Sequence, residues 1–254
     1  MTDSVGITDH KEMDLSTALV VVGFPGSGLV GSIATNFLVH AFKMDRIASI
    51  LSREFPPMAV LEAGRVMSPA RIHAAPMVCG VDGRCNQLAV VLSEVIPKAE
   101  TLYDLSEALL SWCLEKRVVE MVVLEGFVRP KGASDTFVYG VGNSDSTLKR
   151  LTSLKVKPLG EGVLSGLPGL LTYLGETRGL DVTCLLAETS KEYPDARSAA
   201  KLLETLDPFV PQIKIDPEPL YKKAEVIEGN LKASLNRHKE NIADIAERSK
   251  IMYG

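Results

Sequence analysis

Three glycines, Gly26, Gly28 and Gly31, stand in G-x-G-x-x-G spacing within the stretch GFPGSGLVG. An apolar, strand-like run (ALVVVGF, 18–24) precedes them and a helix-like run (LVGSIATNFLVHAF, 29–42) follows. In that context such glycines turn the chain tightly, admit backbone amides to a pyrophosphate and aim a helix N-terminus at it. A nucleotide- or nucleoside-dependent enzyme with Gly26, Gly28 and Gly31 as cofactor-binding residues is therefore one reading. The rest of the fingerprint is incomplete. A dinucleotide site needs an acidic residue about 20 positions on; Glu54 is in that neighbourhood, but inside SREFPP. Pro25 removes one amide from the loop, and no lysine follows Gly31 as a P-loop requires. The plainer alternative is a tight strand-to-helix turn at Gly26 and Gly28, with Gly31 letting the helix lie close to a sheet.

Other reactive side chains form no recognisable set. Glu94, Glu125 and Glu188 each end a strand-like run, where an α/β active site would lie. They are candidates for an acid–base cluster or, alternatively, for partners of helix N-termini. Ser165 in GVLSGLPG misses the G-x-S-x-G spacing. The four histidines lack H-x-x-x-H spacing and the four cysteines (Cys79, Cys85, Cys113, Cys184) lack a C-x-x-C pair. The expectation is buried, reduced thiols, with no metal, no cofactor and no catalytic residues.

The elements that position these residues alternate along the chain. Strand-type runs at 47–51, 88–95, 118–127 and 181–188 are interleaved with helical stretches at about 101–116 and at 145–153. Continuous apolar runs of this kind suit a sheet covered on both faces. Two pieces, 66–78 and 136–143, read as extended hairpin material, so the sheet is expected to be mixed but mostly parallel, with helices on both faces. Residues 1–16 are polar and read as a flexible arm, which leaves 17–216 as the α/β domain. Four prolines, Pro208, Pro211, Pro217 and Pro219, exclude a continuous helix across that region. From 217 to 254 the chain is charged. Ala224, Ile227, Leu231, Leu235, His238, Ile242 and Ile245 form one narrow apolar stripe, predicting a C-terminal amphipathic helix that packs on its own domain or on a neighbour.

Composition bounds the class. With 254 residues and 46% hydrophobic content, the chain can bury a large core. Its formal charge of −4 provides no basic field for nucleic acid. No apolar run approaches the ~20 residues of a membrane span, and no secretory leader opens the sequence. A cytoplasmic protein without nucleic-acid or membrane partners is expected.

Three segments in order, VVGFPGSGLVGSIATNFL, REFPPMAVLEAGR and GVLSGLPGLLTYLG, resemble the proteasome assembly chaperone 2 family in its archaeal form. The resemblance spans about residues 18–209. It implies a purine nucleoside phosphorylase-like α/β fold without the phosphorylase's catalytic groups, and a chaperone role at the proteasome α-ring. Some archaeal relatives carry an ATP-grasp-like label, so a ligase- or phosphorylase-like enzyme is the alternative function. The last residues, Ile251-Met252-Tyr253-Gly254, are similar to the hydrophobic–tyrosine–any-residue (HbYX) tail of proteasome activators and assembly chaperones. Composition alone gives a hydrophobic–tyrosine pair at those two places roughly 1% of the time. The resemblance implies that Met252 enters a pocket between neighbouring α-subunits of the core particle, Tyr253 packs at its mouth and the Gly254 carboxylate meets a lysine. A homo-oligomer presenting several tails is expected.

Overall fold

The computed structural model describes residues 4–79, 85–128, 137–189 and 194–220. Its core strand is β2 (Ala18–Gly23), buried at every position. Alternation divides those side chains between two cores. Leu19 and Val21 pack with Ile33, Phe37 and Leu38 of α1 (Val30–Ala41) and with Leu202, Leu203 and Leu206 of α5 (Ala196–Leu206). Ala18, Val20 and Val22 face the other way, onto α2 (Leu102–Glu115) and α4 (Gly166–Arg178). Helices therefore cover both faces, as the continuous apolar run requires.

Beside β2 lie β8 (Cys85–Ser93) and β9 (Glu120–Val128), both parallel to it, and β12 (Val182–Thr189) is parallel to β9. The flanks correct the expectation of a mostly parallel sheet. On one side β6 (Ala70–Ala74), β3 (Asp45–Ser52) and β1 (Val5–Asp9) follow in antiparallel succession out from β8, while β7 (Val78–Cys79) pairs antiparallel with β8. On the other, β10 (Val138–Gly142) is antiparallel to β12 and carries the short parallel β11 (Lys157–Pro158). A parallel neighbour needs a crossover of a dozen residues or more; the link from β6 to β8 is shorter and makes an antiparallel return. A separate hairpin joins β4 (Val60–Glu62) to β5 (Arg65–Met67).

The arm at 1–16 is a second correction. Its residues 5–9 form edge strand β1, and Val5 and Leu15 are buried. Asp9 accepts from Trp112 Nε1 at 2.9 Å and pairs with Lys116 at 2.5 Å, so a polar-looking stretch is tied to α2. Helix α3 (Asp145–Ser153) matches its expected span. Ser144 begins it with a capping box shared with Thr147. Leu220 is fully buried with Ile213 and Ile215, beyond the four-proline stretch's midpoint. The C-terminal helix expected after it, with His238, and the tail Met252, Tyr253 and Gly254 lie outside the described residues.

Candidate functional site

Strands β2, β3, β8, β9 and β12 point the same way, so their carboxyl ends share one edge of the sheet. The glycine loop follows β2, residues 53–58 follow β3, Glu94 follows β8, Glu188 is the penultimate residue of β12, and Glu125 lies inside β9, three residues before its end. Helix α4 packs against β12 and β9 and leads into β12 through Gly179, which sits at φ +73°. Its start at Ser165-Gly166 therefore reaches the same edge. The three segments that carried the family resemblance, drawn from between residues 21 and 175, each reach that edge.

Each loop glycine has a tertiary reason. At Gly26 a Cβ would collide with the carboxyl of Glu125, at Gly28 with the Thr189 hydroxyl, and at Gly31 with the backbone carbonyl of Leu124. Gly28 also adopts φ +61°, which disfavours other residues. The loop lies directly on β9 and β12, and these contacts account for its glycines without a ligand. Leu124 O is backbone and cannot yield, so Gly31→Ala should destabilise the protein by ~1–3 kcal/mol. Gly162→Ala, where the added carbon meets nothing within 4 Å, should stay within about 0.5 kcal/mol. Chemical denaturation of the two variants checks this; equal midpoints would refute the close approach.

The three carboxylates each take their own hydrogen-bond partners and do not bond to one another. Glu94 forms a buried fork with Arg71, Nη1 to Oε2 at 2.8 Å and Nη2 to Oε1 at 2.7 Å. Glu188 accepts from Phe137 N at 3.4 Å and Tyr139 Oη at 3.3 Å. Glu125 alone meets a helix head. Its carboxyl accepts from the backbone of Gly126 at 2.8 Å and of Ser27, in the 3₁₀ turn Ser27–Leu29 that leads into α1. Burial pushes Glu125 up to about 7, against the pull of those two amides. A carboxyl raised in the fold holds a proton that the unfolded chain has lost, so its contribution makes stability fall as pH rises from 4.5 to about 7. His73 acts oppositely. Burial and then the Arg71 charge depress it to about 4, and stability falls as pH drops below 6.5.

Sequence reasoning passed over Asp195. Its carboxylate accepts from Ser198 N at 2.9 Å, Ser198 Oγ at 2.7 Å and Thr189 Oγ1 at 2.9 Å, and its backbone N–H donates to Gly28 O at 2.8 Å. It thus caps α5 and fastens the glycine loop. The signal was present as an aspartate three residues before a serine, ahead of an amphipathic run. Glu54 is remote from any ribose role, pairing with Lys98 at 3.1 Å on the surface. Among the described residues no group of three or more His, Cys, Asp or Glu could hold a metal, and no helix is long and apolar enough to cross a membrane. Cys113 and Cys184 are buried free thiols, held up by burial. Cys79 corrects the expectation: it is exposed and disulfide-bonded.

A sequence model of the PAC2 family matches residues 20–234. The chain belongs to the PAC2 family. Within that frame, an uncharacterised protein of Methanocaldococcus jannaschii is 27% identical over 238 residues, covering 94% of each chain. Pyrococcus furiosus PbaA, described as an archaeal homolog of proteasome-assembly chaperone, superposes with a TM-score of 0.79 at 28% identity. That match covers 93% of this chain and 98% of PbaA. Pyrococcus furiosus PbaB, described as an archaeal proteasome activator, gives a TM-score of 0.76 at 20% identity, over 91% and 99% of the two chains, a likeness of fold. PAC2 membership covers the glycine loop, residues 53–58 and the start of α4 together, so the shared edge lies wholly inside the family domain.

Proposed function

We propose that this protein is a proteasome assembly chaperone, a binding protein that docks on the α-ring of the core particle. PAC2 membership across residues 20–234 carries the reading, and the likeness to PbaA supports it. In this reading the α/β domain is a phosphorylase-like scaffold used as a platform, with its glycine loop serving packing rather than nucleotide binding. The docking group is Met252, Tyr253 and Gly254: the methionine fills an apolar pocket between α-subunits, the tyrosine packs at its rim, and the terminal carboxylate pairs with a lysine. The partner surface belongs to the core-particle α-subunits, and the protein acts in the cytoplasm.

Capture of purified core particle by the full-length chain tests the proposal, and failure to capture either core particles or free α-subunits would refute it. Several copies presenting tails to one ring gain ~10²–10⁴ in avidity without new contacts, so the working unit is a homo-oligomer. Light scattering should give a multimeric mass at micromolar concentration, and a monomer would count against the multivalent form. Removal of residues 221–254, cut after the buried Leu220 so that the core keeps it, should reduce that mass if the C-terminal segment knits the copies together.

A further inference from the structure

The ten-stranded sheet ends differently on its two sides. At one end β11 is two residues long, Lys157 and Pro158, residue types that blunt an edge against further pairing. At the other end stands β1, VGITD, five residues in unbroken register with β3 and without lysine or proline. The bond from His10 N to Ile47 O at 2.7 Å fixes which way its backbone points. His10 and Ile47 continue the register that sets Val5 across from Ser52, and hydrogen-bonded pairs alternate along an antiparallel ladder. Gly6 and Thr8 therefore turn their N–H and C=O groups towards β3, while Val5, Ile7 and Asp9 turn theirs outward. Among the described residues no strand pairs with that side. We infer that β1 is a self-pairing edge: two copies of this chain join through antiparallel β1 strands about a two-fold axis at Ile7, fusing their sheets.

The occupant is a second copy because the edge is its own complement. With Ile7 opposite Ile7, Val5 faces the second copy's Asp9, and every outward residue gains a partner that exchanges both backbone bonds. An isologous contact requires that symmetry. The side chains agree with it. Val5 and Ile7 face the core under α2, so Gly6 and Thr8 lie on the opposite face. There Gly6 leaves a gap beside the exposed Leu51, its partner across the ladder, and an added Cβ would meet nothing within 4 Å. The same register sets the second copy's Thr8 against Gly6, so its methyl enters that gap. Charge does not oppose the contact. The two Asp9 residues stand at opposite ends of the paired strands, ~14 Å apart, and each carboxylate is already held by Trp112 and Lys116. The inference rests on the homo-oligomer of the proposed function and names the surface that builds it.

Residue-resolved hydrogen exchange on the full-length protein tests this, at a concentration where light scattering gives a multimer and after dilution to the monomer. The amides of Ile7 and Asp9 should exchange about ten-fold or more slowly in the multimer, while those of Gly6 and Thr8 stay protected in both states. Ile7→Pro removes an outward donor and no bond to β3, a place where an edge strand accepts proline. It should lower the scattering mass by about half and leave the circular dichroism spectrum unchanged. A multimer whose Ile7 and Asp9 amides exchange freely overturns the edge and leaves the homo-oligomer standing. A monomer at every concentration overturns both. Protection of those amides that persists in the monomer, or that arises only when core particle is added, also overturns self-pairing. Should Ile7→Pro fail to fold, the alternating exchange pattern of the unaltered protein decides alone.

Discussion

If the tail docks as proposed, deleting the last three residues, or changing Tyr253→Ala, should abolish co-purification with the proteasome core particle and leave the melting temperature unchanged. Burying a side chain the size of Met252 or Tyr253 is worth ~1.5–3 kcal/mol. A charge-assisted hydrogen bond from the Gly254 carboxylate to a lysine adds ~1.5–3 kcal/mol. Either loss weakens each tail about ten-fold or more, and repetition around the ring multiplies it. Adding one residue after Gly254 would move the carboxylate away from the proposed lysine and should have the same effect, while Gly254→Ala should bind normally. Terminal residues contribute little to a fold, so thermal melts of these variants should coincide with the parent. Pull-down from lysate containing the core particle reads the first outcome and calorimetry the second. An extended tail that binds as well as the native one sinks the docking reading and leaves the PAC2 assignment standing.

Breaking the ion pair between β6 and β8 should give the largest loss of stability. Arg71 and Glu94 have side-chain exposures of only 5% and 10%, and Arg71 also donates to Ser68 O at 2.8 Å. Arg71→Met leaves a buried carboxylate without its fork, which costs ~3–5 kcal/mol. For a protein of this size that lowers the melting temperature by on the order of 10 °C. The double change Arg71→Met with Glu94→Leu removes both charges and should recover most of the loss, since well-packed apolar replacements of a buried pair are often neutral. A double-mutant cycle by thermal and urea unfolding measures it. If the single change costs less than ~1 kcal/mol, or the double change is as damaging as the single, the pair is not what holds these strands in place.

Much of the scaffold was legible because its signals are local. The run at 18–24 reads as a doubly covered strand from its apolar continuity, and β2 is that strand, with alternate residues entering separate cores. Helix α3 announces itself through a serine cap and a following apolar–polar period. Where the local signal was weak, elements went unread. Helix α4 opens on glycine and carries Pro168, both poor helix formers, and its stability comes from Leu167, Leu171 and Leu174 against the sheet. Strand β1 is only five residues long with just Val5 fully buried, and its pairing with β3 is a long-range event.

By itself the sequence determined the alternating α/β plan, the glycine spacing, the family resemblance and the HbYX-like pattern at 252–254, because each is written in neighbouring residues. Tertiary structure alone decided what the chemistry-bearing groups do. Sheet order sets β6 beside β8 and so gives Glu94 an arginine, and it sets β2 beside β9 and so places Glu125 under Gly26. It also carries Thr189 and Asp195 to Gly28, turning a loop with nucleotide-type spacing into one fastened by its own protein. Periodicity shows which face of a strand is apolar, but it does not show which strand lies alongside; that depends on the crossovers and the burial of the whole sheet.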